Sequence, residues 1–225
     1  ITVNGSFGKF GSKYSFLYSP DLLINTTITG QLTLLMLIEM ITTAGGNVKS
    51  ANTDGIVILC KRHNVQAIRD TVRLFELNTI FTMEYTEYRA LYSINVNNYL
   101  AVKPDGKVKG KGQFAIGGLA KNPTNTISVK AAIEYLTQQT PVQNTILHCQ
   151  DIRDFVTLRT VKGGAVKDGQ AIGKSIRWYH STSTMTAIHY QTNNNKVPKS
   201  DGAKPVMDYP DKLPKDIDYQ FYIQE

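Results

Sequence analysis

Two β-forming runs lie on either side of a short polar stretch, and this pattern restricts the fold more than any other part of the chain. The runs are "NVKSA" and "GIVILC", and Asn52, Thr53, Asp54 and Gly55 lie where they meet. Asp-Gly is a strong hairpin signal, because glycine tolerates the positive φ that such turns require. The sequence therefore predicts an antiparallel hairpin with the carboxylate of Asp54 at its tip.

Helical patterns flank this hairpin on both sides. Residues 26–44 have helical length and a broad apolar face, and Gly45 and Gly46 behind them are typical of a helix end. Residues 64–77 repeat apolar side chains at helical spacing. Alternation over residues 81–100 predicts two or three antiparallel strands, followed by a Pro-Asp-Gly turn. Helices and antiparallel strands together predict an α+β fold.

The N-terminal stretch "NGSFGKFGSKYSF" combines glycine with aromatic residues. Phe7, Phe10 and Tyr14 have the spacing of one helical face. Each glycine would weaken a helix by ~1 kcal/mol, which indicates close approach by another molecule. The chain also opens with Ile1 inside a patterned segment, so we expect a fragment or a processed product.

The second half of the chain changes character after "GQFAIGGLAKNPTN". Residues 127–136 and 140–156 are expected to be helical, "AIGKSIRWYHS" and "TAIHYQT" to be strands, and the end to be a Pro-rich loop. We place a domain boundary near Gly117, which divides the chain into residues 1–116 and 117–225.

Composition excludes a disordered chain, since 41% of the 225 residues are hydrophobic and 19% are charged. The most apolar segment, "LTLLMLIEMI", is too short to span a bilayer and contains Glu39, so no membrane is expected. Cys60 and Cys149 have no CxxC partner and are expected to be reduced thiols. The net charge of +7 favours a polyanionic partner, and the basic residues concentrate in residues 103–121 and 153–177.

Other catalytic motifs fit poorly. "GQAIGKS" has three residues between Gly169 and Gly173, where a P-loop needs four. The histidines are scattered, so no Ser-His-Asp or Cys-His spacing is informative. A small-molecule enzyme with Asp54 as general base would lack a partner His or Lys at a persuasive spacing.

"NGSFGK" followed by "SANTDGIVI" resembles motifs B and C of family B DNA polymerases, particularly those of tailed phages. Residues 4–8 match the last five positions of motif B, K-x-x-x-N-S-x-Y-G, with Gly5 for Ser and Phe7 for Tyr. Residues 50–55 match motif C, Y-x-D-T-D-S, with Thr53 and Asp54 on its T-D and Asn52 in place of its first Asp. The stretches "NNYLAVKPDGKVKGKGQF", "KGGAVK" and "GKSIRWYHS" look similar to later parts of the same polymerases.

The resemblance implies a palm-like antiparallel sheet with packed helices in residues 1–116 and a mixed, thumb-like subdomain in residues 117–225. It implies template-directed DNA synthesis by two-metal nucleotidyl transfer, with Asp54 as the carboxylate that bridges two Mg²⁺ ions. Further site residues follow by the same likeness: Asn4, Phe7 and Gly8 at the nascent base pair, and Lys107, Lys109 and Lys111 at the primer. The glycines among these lysines would let the protein and DNA backbones come near each other.

The partners implied are primer-template DNA, a dNTP and an upstream portion of the same polymerase that carries motif A and the motif B lysine. The chain is therefore expected to be inactive alone, and to act in the host cytoplasm as a viral replication protein. The alternative is a non-catalytic nucleic-acid-binding module derived from a polymerase, which Asn52 and the missing motif A favour.

Overall fold

The α+β prediction is confirmed by the computed structural model, which describes residues 2–116 and 122–225, with side chains from residue 5 onward. The chain divides into two compact units, Ile1–Thr86 and Glu87–Glu225. This division lies upstream of the predicted boundary near Gly117, a residue outside the described part of the chain. The assignment of residues 1–116 to a palm and 117–225 to a thumb stays a prediction.

The first unit consists of three helices and one hairpin. In chain order they are α1 (Thr2–Phe10), α2 (Pro20–Thr43), β1 (Asn47–Asn52), β2 (Gly55–Leu59) and α3 (Val65–Asn78). α1 ends at Phe10, so the prediction that Tyr14 continues its face is wrong, because "GSKYS" breaks the helix before that residue. The helices predicted over 26–44 and 64–77 are present, and α2 begins earlier than expected, with Pro20 at its first position.

The core of the first unit lies between α2, α3 and the hairpin. Leu37 and Ile41 of α2 pack with apolar side chains of α3, and the hairpin adds the inward-facing residues Val48, Ile56 and Ile58. Gly45, with φ of 84°, ends α2 and turns the chain into β1. One face of each hairpin strand is thereby fixed against two helices.

α2 extends well beyond the apolar segment "LTLLMLIEMI" that it contains. Its 24 residues, with a mean hydropathy of 1.4 over the most apolar window, make it long and apolar enough to cross a membrane by length and composition. Leu37 and Ile41 are nevertheless buried in the unit's core. The expectation that no membrane is involved stays a prediction.

In its described residues, 87–116 and 122–225, the second unit contains two antiparallel sheets and four α-helices. Its first sheet has the order β3-β4-β5 and its second the order β8-β6-β7-β9. The elements are β3 (Ala90–Asn95), β4 (Asn98–Val102), β5 (Val108–Lys111), α4 (Thr126–Gln138), α5 (Val142–His148), α6 (Ile152–Phe155), β6 (Thr157–Lys167), β7 (Gln170–His180), β8 (His189–Tyr190), β9 (Ala203–Pro205) and α7 (Tyr219–Gln224).

Tyr222 of α7 lies at the centre of the larger core of this unit. Its hydroxyl accepts from the backbone N–H of His180 at 2.8 Å and donates to the carbonyl of Phe155 at 2.7 Å. Phe155 packs edge-on against the Tyr222 ring, with 5.1 Å between ring centroids. The short C-terminal helix is thus joined to both β7 and α6 through one side chain.

A second polar centre holds the chain ahead of α7. The carboxylate of Asp216 accepts hydrogen bonds from Tyr179, Ser181, Ser183 and Lys204. Burial alone would raise the pKa of Asp216, but these hydrogen bonds together lower it well below its usual range. Because every donor is a neighbour in the fold, we interpret this cluster as structural.

Four sequence predictions for local structure are wrong in detail. The end of the chain, expected to be a Pro-rich loop, contains β9 and α7. Residues 81–89 form no strand, and β3 begins only at Ala90. The helix predicted over residues 140–156 is two short helices, since the chain is extended at Cys149 and Asp151 caps α6 by accepting from the Arg153 N–H. The strand predicted in "TAIHYQT" is limited to two residues, which pair with Ala165 and Val166 of β6.

Candidate active-site hairpin and basic strand

The hairpin that the sequence predicts between residues 47 and 60 is confirmed. Asn47 pairs with Leu59 and Asn52 pairs with Gly55, which leaves Thr53 and Asp54 as a two-residue turn. The pairing shifts between Val48 and Ser50, so one strand carries a bulge. Asp54 therefore occupies the tip of a hairpin whose other end is packed between α2 and α3.

The physical reason given for the turn, by contrast, is wrong. None of Thr53, Asp54 and Gly55 has a positive φ. Two-residue hairpin turns of the favoured types need φ > 0 at their first or at both central positions. Gly55 pairs as the first residue of β2, so the Asp-Gly signal predicted the right element through the wrong backbone geometry.

The side chains at the tip are open to solvent. Asn52, Thr53 and Asp54 are all exposed, and the Thr53 hydroxyl donates to the side-chain oxygen of Asn52 at 3.1 Å. The residues on the buried face of the same strands, Val48 and Ile56, belong to the core. A carboxylate that can reach a ligand is thus presented on an anchored element.

The donor atoms around Asp54 fit only part of a metal site. Within residues 2–116 and 122–225, no group of three or more His, Cys, Asp or Glu side chains could hold a metal ion. Mg²⁺ is commonly held by one or two carboxylates together with substrate phosphates and water. Asp54 fits the role of one such carboxylate, and a second must come from elsewhere.

The three motif B residues lie in α1, in the same unit as Asp54. The side chain of Asn4 lies outside the described residues. Phe7 is 38% exposed. A Cβ added to Gly5 or Gly8 would meet no atom within 4 Å. Because packing inside the chain does not require glycine at these two helical positions, their helix-weakening cost points to a requirement from outside the chain.

The three lysines of the basic stretch lie in the second unit, at the edge strand β5. Lys107, Lys109 and Lys111 are all exposed. In a strand, residues two apart share a face, so Lys109 and Lys111 point to the same side of the sheet. Lys107 precedes β5 and pairs with Asp105 at 3.3 Å, whereas in the described part of the chain neither of the other two has a carboxylate partner.

Asp105 is fixed locally by the turn before β5. The backbone N–H of Lys107 donates to its carboxylate at 3.0 Å, and this hydrogen bond lowers the pKa of Asp105. The Lys107 ammonium contributes less to that shift. Lys107 is therefore the weakest candidate of the three for a free phosphate contact.

An aromatic residue that the sequence analysis did not single out lies beside Lys111. Tyr99 of β4 is the direct cross-strand partner of Lys111, and the ammonium lies 5.9 Å from the centre of its ring. Ala101 is likewise paired with Lys109. The sequence "NNYLAVK" indicates a strand. Deriving its register with β5 from the Pro-Asp-Gly turn would have identified Tyr99 as the neighbour of Lys111.

The glycines of the basic strand have a different role from the one expected. They were interpreted as leaving room for a nucleic-acid backbone. A Cβ at Gly110 would lie 1.9 Å from the carbonyl oxygen of Phe114, and one at Gly112 would lie 2.2 Å from the Asn98 side chain. Both positions therefore require glycine, because Phe114 and Asn98 of the same chain occupy the space that a side chain would need.

No protein-family model matches this sequence, and no characterised protein matches it significantly. The likeness to family B DNA polymerases thus rests on its short motifs alone.

Proposed function

We propose that this chain is the C-terminal palm and thumb portion of a DNA polymerase of the phage family B type, which synthesises DNA by two-metal nucleotidyl transfer. The observation that carries the proposal is the position of Asp54. The motif C match puts the metal-binding carboxylate at residue 54, and that residue lies exposed at the tip of an anchored antiparallel hairpin.

The residues of this chain have distinct proposed roles. Asp54 holds the metal ions, Phe7 stacks beside the nascent base pair without the tyrosine hydroxyl, and Gly8 leaves space for close approach. When bound, two Mg²⁺ ions would supply Lewis-acid activation of the primer hydroxyl and charge compensation for the triphosphate. Lys109 and Lys111, with Lys107, would contact primer phosphates in a sequence-independent way.

The substitution Asp54→Ala tests the proposal in the chain combined with the upstream portion that carries motif A. Primer extension should be lost, because the two ions would lose a shared ligand. Circular dichroism should be unchanged, since the side chain is exposed. Asp21→Ala, which removes another exposed carboxylate from the same unit, is the matched control. Extension at the parental rate by Asp54→Ala would refute the role of Asp54.

The isolated chain should give no primer extension with Mg²⁺ or Mn²⁺. The resemblance identifies only Asp54 of the required pair of carboxylates, and it aligns no lysine of this sequence with the lysine of motif B. Supplying the upstream portion as a separate polypeptide should restore extension if the two parts dock. Product from the isolated chain would mean that a second carboxylate has been overlooked.

Duplex DNA binding tests the basic strand. Replacing Lys107, Lys109 and Lys111 together by Ala should lower the salt slope of binding by up to roughly 0.9 per lost phosphate contact. The matched control replaces three exposed lysines outside both basic stretches, Lys61, Lys212 and Lys215. An unchanged slope in the first variant would mean that its three lysines are solvated charges that make no contact with phosphate.

A second candidate is a non-catalytic nucleic-acid-binding module derived from a polymerase. Asn52 favours it, because an amide replaces the first carboxylate of motif C and engages the Thr53 hydroxyl instead. This candidate predicts duplex binding that Asp54→Ala leaves unchanged, and no extension after the upstream portion is added.

A further inference from the structure

The segment between α1 and α2 is a closed and internally hydrogen-bonded loop. We call residues 11–19 the aromatic loop. The backbone N–H of Ser19 donates to the carbonyl of Phe10 at 3.0 Å and joins the two ends of the loop. Ser15 is bonded within the loop in three ways: it donates to Ser12 at 2.9 Å, accepts at its carbonyl from Tyr18 at 3.0 Å, and accepts at its hydroxyl from Leu17 at 3.0 Å.

Two aromatic side chains project from this loop without any cover. Tyr14 is 102% exposed and Phe16 is 101% exposed, as much as either residue can be. Aromatic rings are normally among the most buried parts of a chain, and exposing them costs solvation free energy. A hydrogen-bonded loop that holds two bare rings is suited to bind a flat apolar surface at low entropic cost.

The charges around the rings favour a polyanion over a neutral surface. Lys13 precedes Tyr14, Lys9 lies in the last turn of α1, and no Asp or Glu occurs from residue 5 to residue 20. Aromatic rings interleaved with basic side chains are the general chemistry of single-strand binding, because every base has a face that stacks and every nucleotide has a phosphate. A purely apolar protein partner would gain nothing from the two lysines.

We propose that the aromatic loop is a stacking platform for the unpaired bases of a nucleic-acid strand, with Tyr14 and Phe16 as the stacking rings and Lys9 and Lys13 as phosphate contacts. The assignment of that strand to the unpaired template rests on the proposed function. The stacking itself does not, and equilibrium binding measures it without any polymerase activity.

The test is binding of a labelled oligothymidylate of about 12 nucleotides, a length within the range of single-strand sites. Tyr14→Ala and Phe16→Ala should each weaken binding by roughly fivefold or more. Phe16→Tyr should bind like the parent, because a ring is kept. Tyr135→Ala, which removes an exposed tyrosine from α4, should also bind like the parent. Both rings are fully exposed, so the alanine variants should fold.

An oligonucleotide backbone of the same length without bases separates stacking from charge. The alanine variants should bind this abasic strand as the parent does, whereas Lys13→Ala should weaken binding to both strands. An equal loss on the abasic strand would overturn the proposal. So would parental binding of oligothymidylate by the double variant Tyr14→Ala/Phe16→Ala.

Two further readouts assign a failure to the correct hypothesis. If the double variant binds oligothymidylate normally but sediments as a smaller species than the parent, the loop is a contact between copies of the chain and the platform is refuted. Duplex binding through Lys109 and Lys111, and the dependence of extension on Asp54, are measured separately. If duplex binding does not involve Lys109 and Lys111 and extension does not depend on Asp54, the polymerase assignment is refuted. The stacking result is unaffected.

Discussion

The two units of this protein differ in how much of their apolar surface they bury. In the second unit, Trp178, Tyr222 and Phe155 are fully buried, and the Tyr222 hydroxyl has two hydrogen-bond partners, whereas the Trp178 Nε1–H has none within the described residues. In the first unit, a stripe of α2 formed by Ile24, Ile28, Leu32 and Leu35 is about half exposed, and the aromatic loop is bare.

The residues proposed to bind the metal ions and the base pair do not lie in the unit with the larger hydrophobic cores. Asp54, Phe7 and Gly8 belong to the unit that leaves apolar surface in water, whereas the larger cores lie in the other unit. α2 has no charged residue between Asp21 and Glu39. We therefore expect an apolar surface of a partner to cover the sides of α2 that this chain leaves exposed. We expect the first unit to gain stability when partners bind, and the second to be stable without them.

The largest contrast should come from deleting one phenyl ring in each unit. Phe155→Ala removes a fully buried ring and should lower the free energy of unfolding by about 3–5 kcal/mol. Phe16→Ala removes a fully exposed ring and should change it by no more than about 0.5 kcal/mol. Urea denaturation of both variants measures the difference, and similar losses would contradict the division drawn between the units.

A single hydroxyl tests the hydrogen bonds at the centre of the larger core of the second unit. Tyr222→Phe leaves the His180 N–H and the Phe155 carbonyl without their shared partner, which should cost about 1–3 kcal/mol. Tyr135→Phe removes the hydroxyl of a half-exposed tyrosine and should be close to neutral. A neutral Tyr222→Phe would mean that water replaces the hydroxyl at the centre of this core.

Stability should fall in mild acid because of His180. Burial lowers the pKa of this histidine, although the Asp201 carbonyl and the charges of Asp218 and Glu225 act in the opposite direction. The unfolded chain then binds the proton more tightly, so the contribution is complete above the unfolded pKa of about 6.5 and is lost as the pH falls toward the folded pKa.

Denaturant midpoints at about pH 7.5 and pH 5.5 measure this effect. His180→Gln should flatten the pH dependence, whereas His63→Gln, which alters an exposed histidine of the first unit, should preserve it. If His180→Gln keeps the parental pH dependence of stability, a group other than His180 causes the acid sensitivity.

The smallest effect is expected at the basic strand. Lys111→Gln removes a cation that lies over the exposed side of Tyr99 and should cost no more than about 0.5–1 kcal/mol. Its effect on duplex DNA affinity should exceed its effect on stability. A loss of stability larger than the loss of binding would make Lys111 a structural residue.

Periodicity predicted the elements of the first unit well, because helix length and strand alternation are local properties. Two of the four Asp-Gly pairs in the sequence show where local chemistry stops being informative. At Asp168-Gly169 both residues have positive φ, as a two-residue hairpin turn prefers, yet at Asp54-Gly55 neither does. Position 54 departs from the favoured turn where a function is proposed, which is where sequence rules are expected to fail.

The site was predictable in part. The motif match located Asp54, and the fold gave it a hairpin tip. The pairing of Tyr99 with Lys111 depends on strand register, and the exposure of Tyr14 and Phe16 depends on how the aromatic loop closes, so neither follows from residue spacing. Gly110 and Gly112 were misinterpreted for the same reason, since their neighbours Phe114 and Asn98 approach only in the folded chain.

The turn at Asp168-Gly169 has a consequence for how the second unit folds. It joins β6 and β7, the longest strands of their sheet, by the shortest possible connection. Contacts between residues close in sequence form at small loss of chain entropy, so this hairpin should assemble early in folding. Tyr222, which reaches back to Phe155 and His180, should be fixed only afterwards. Substitutions in the hairpin should therefore slow refolding, and those in α7 should mainly speed unfolding.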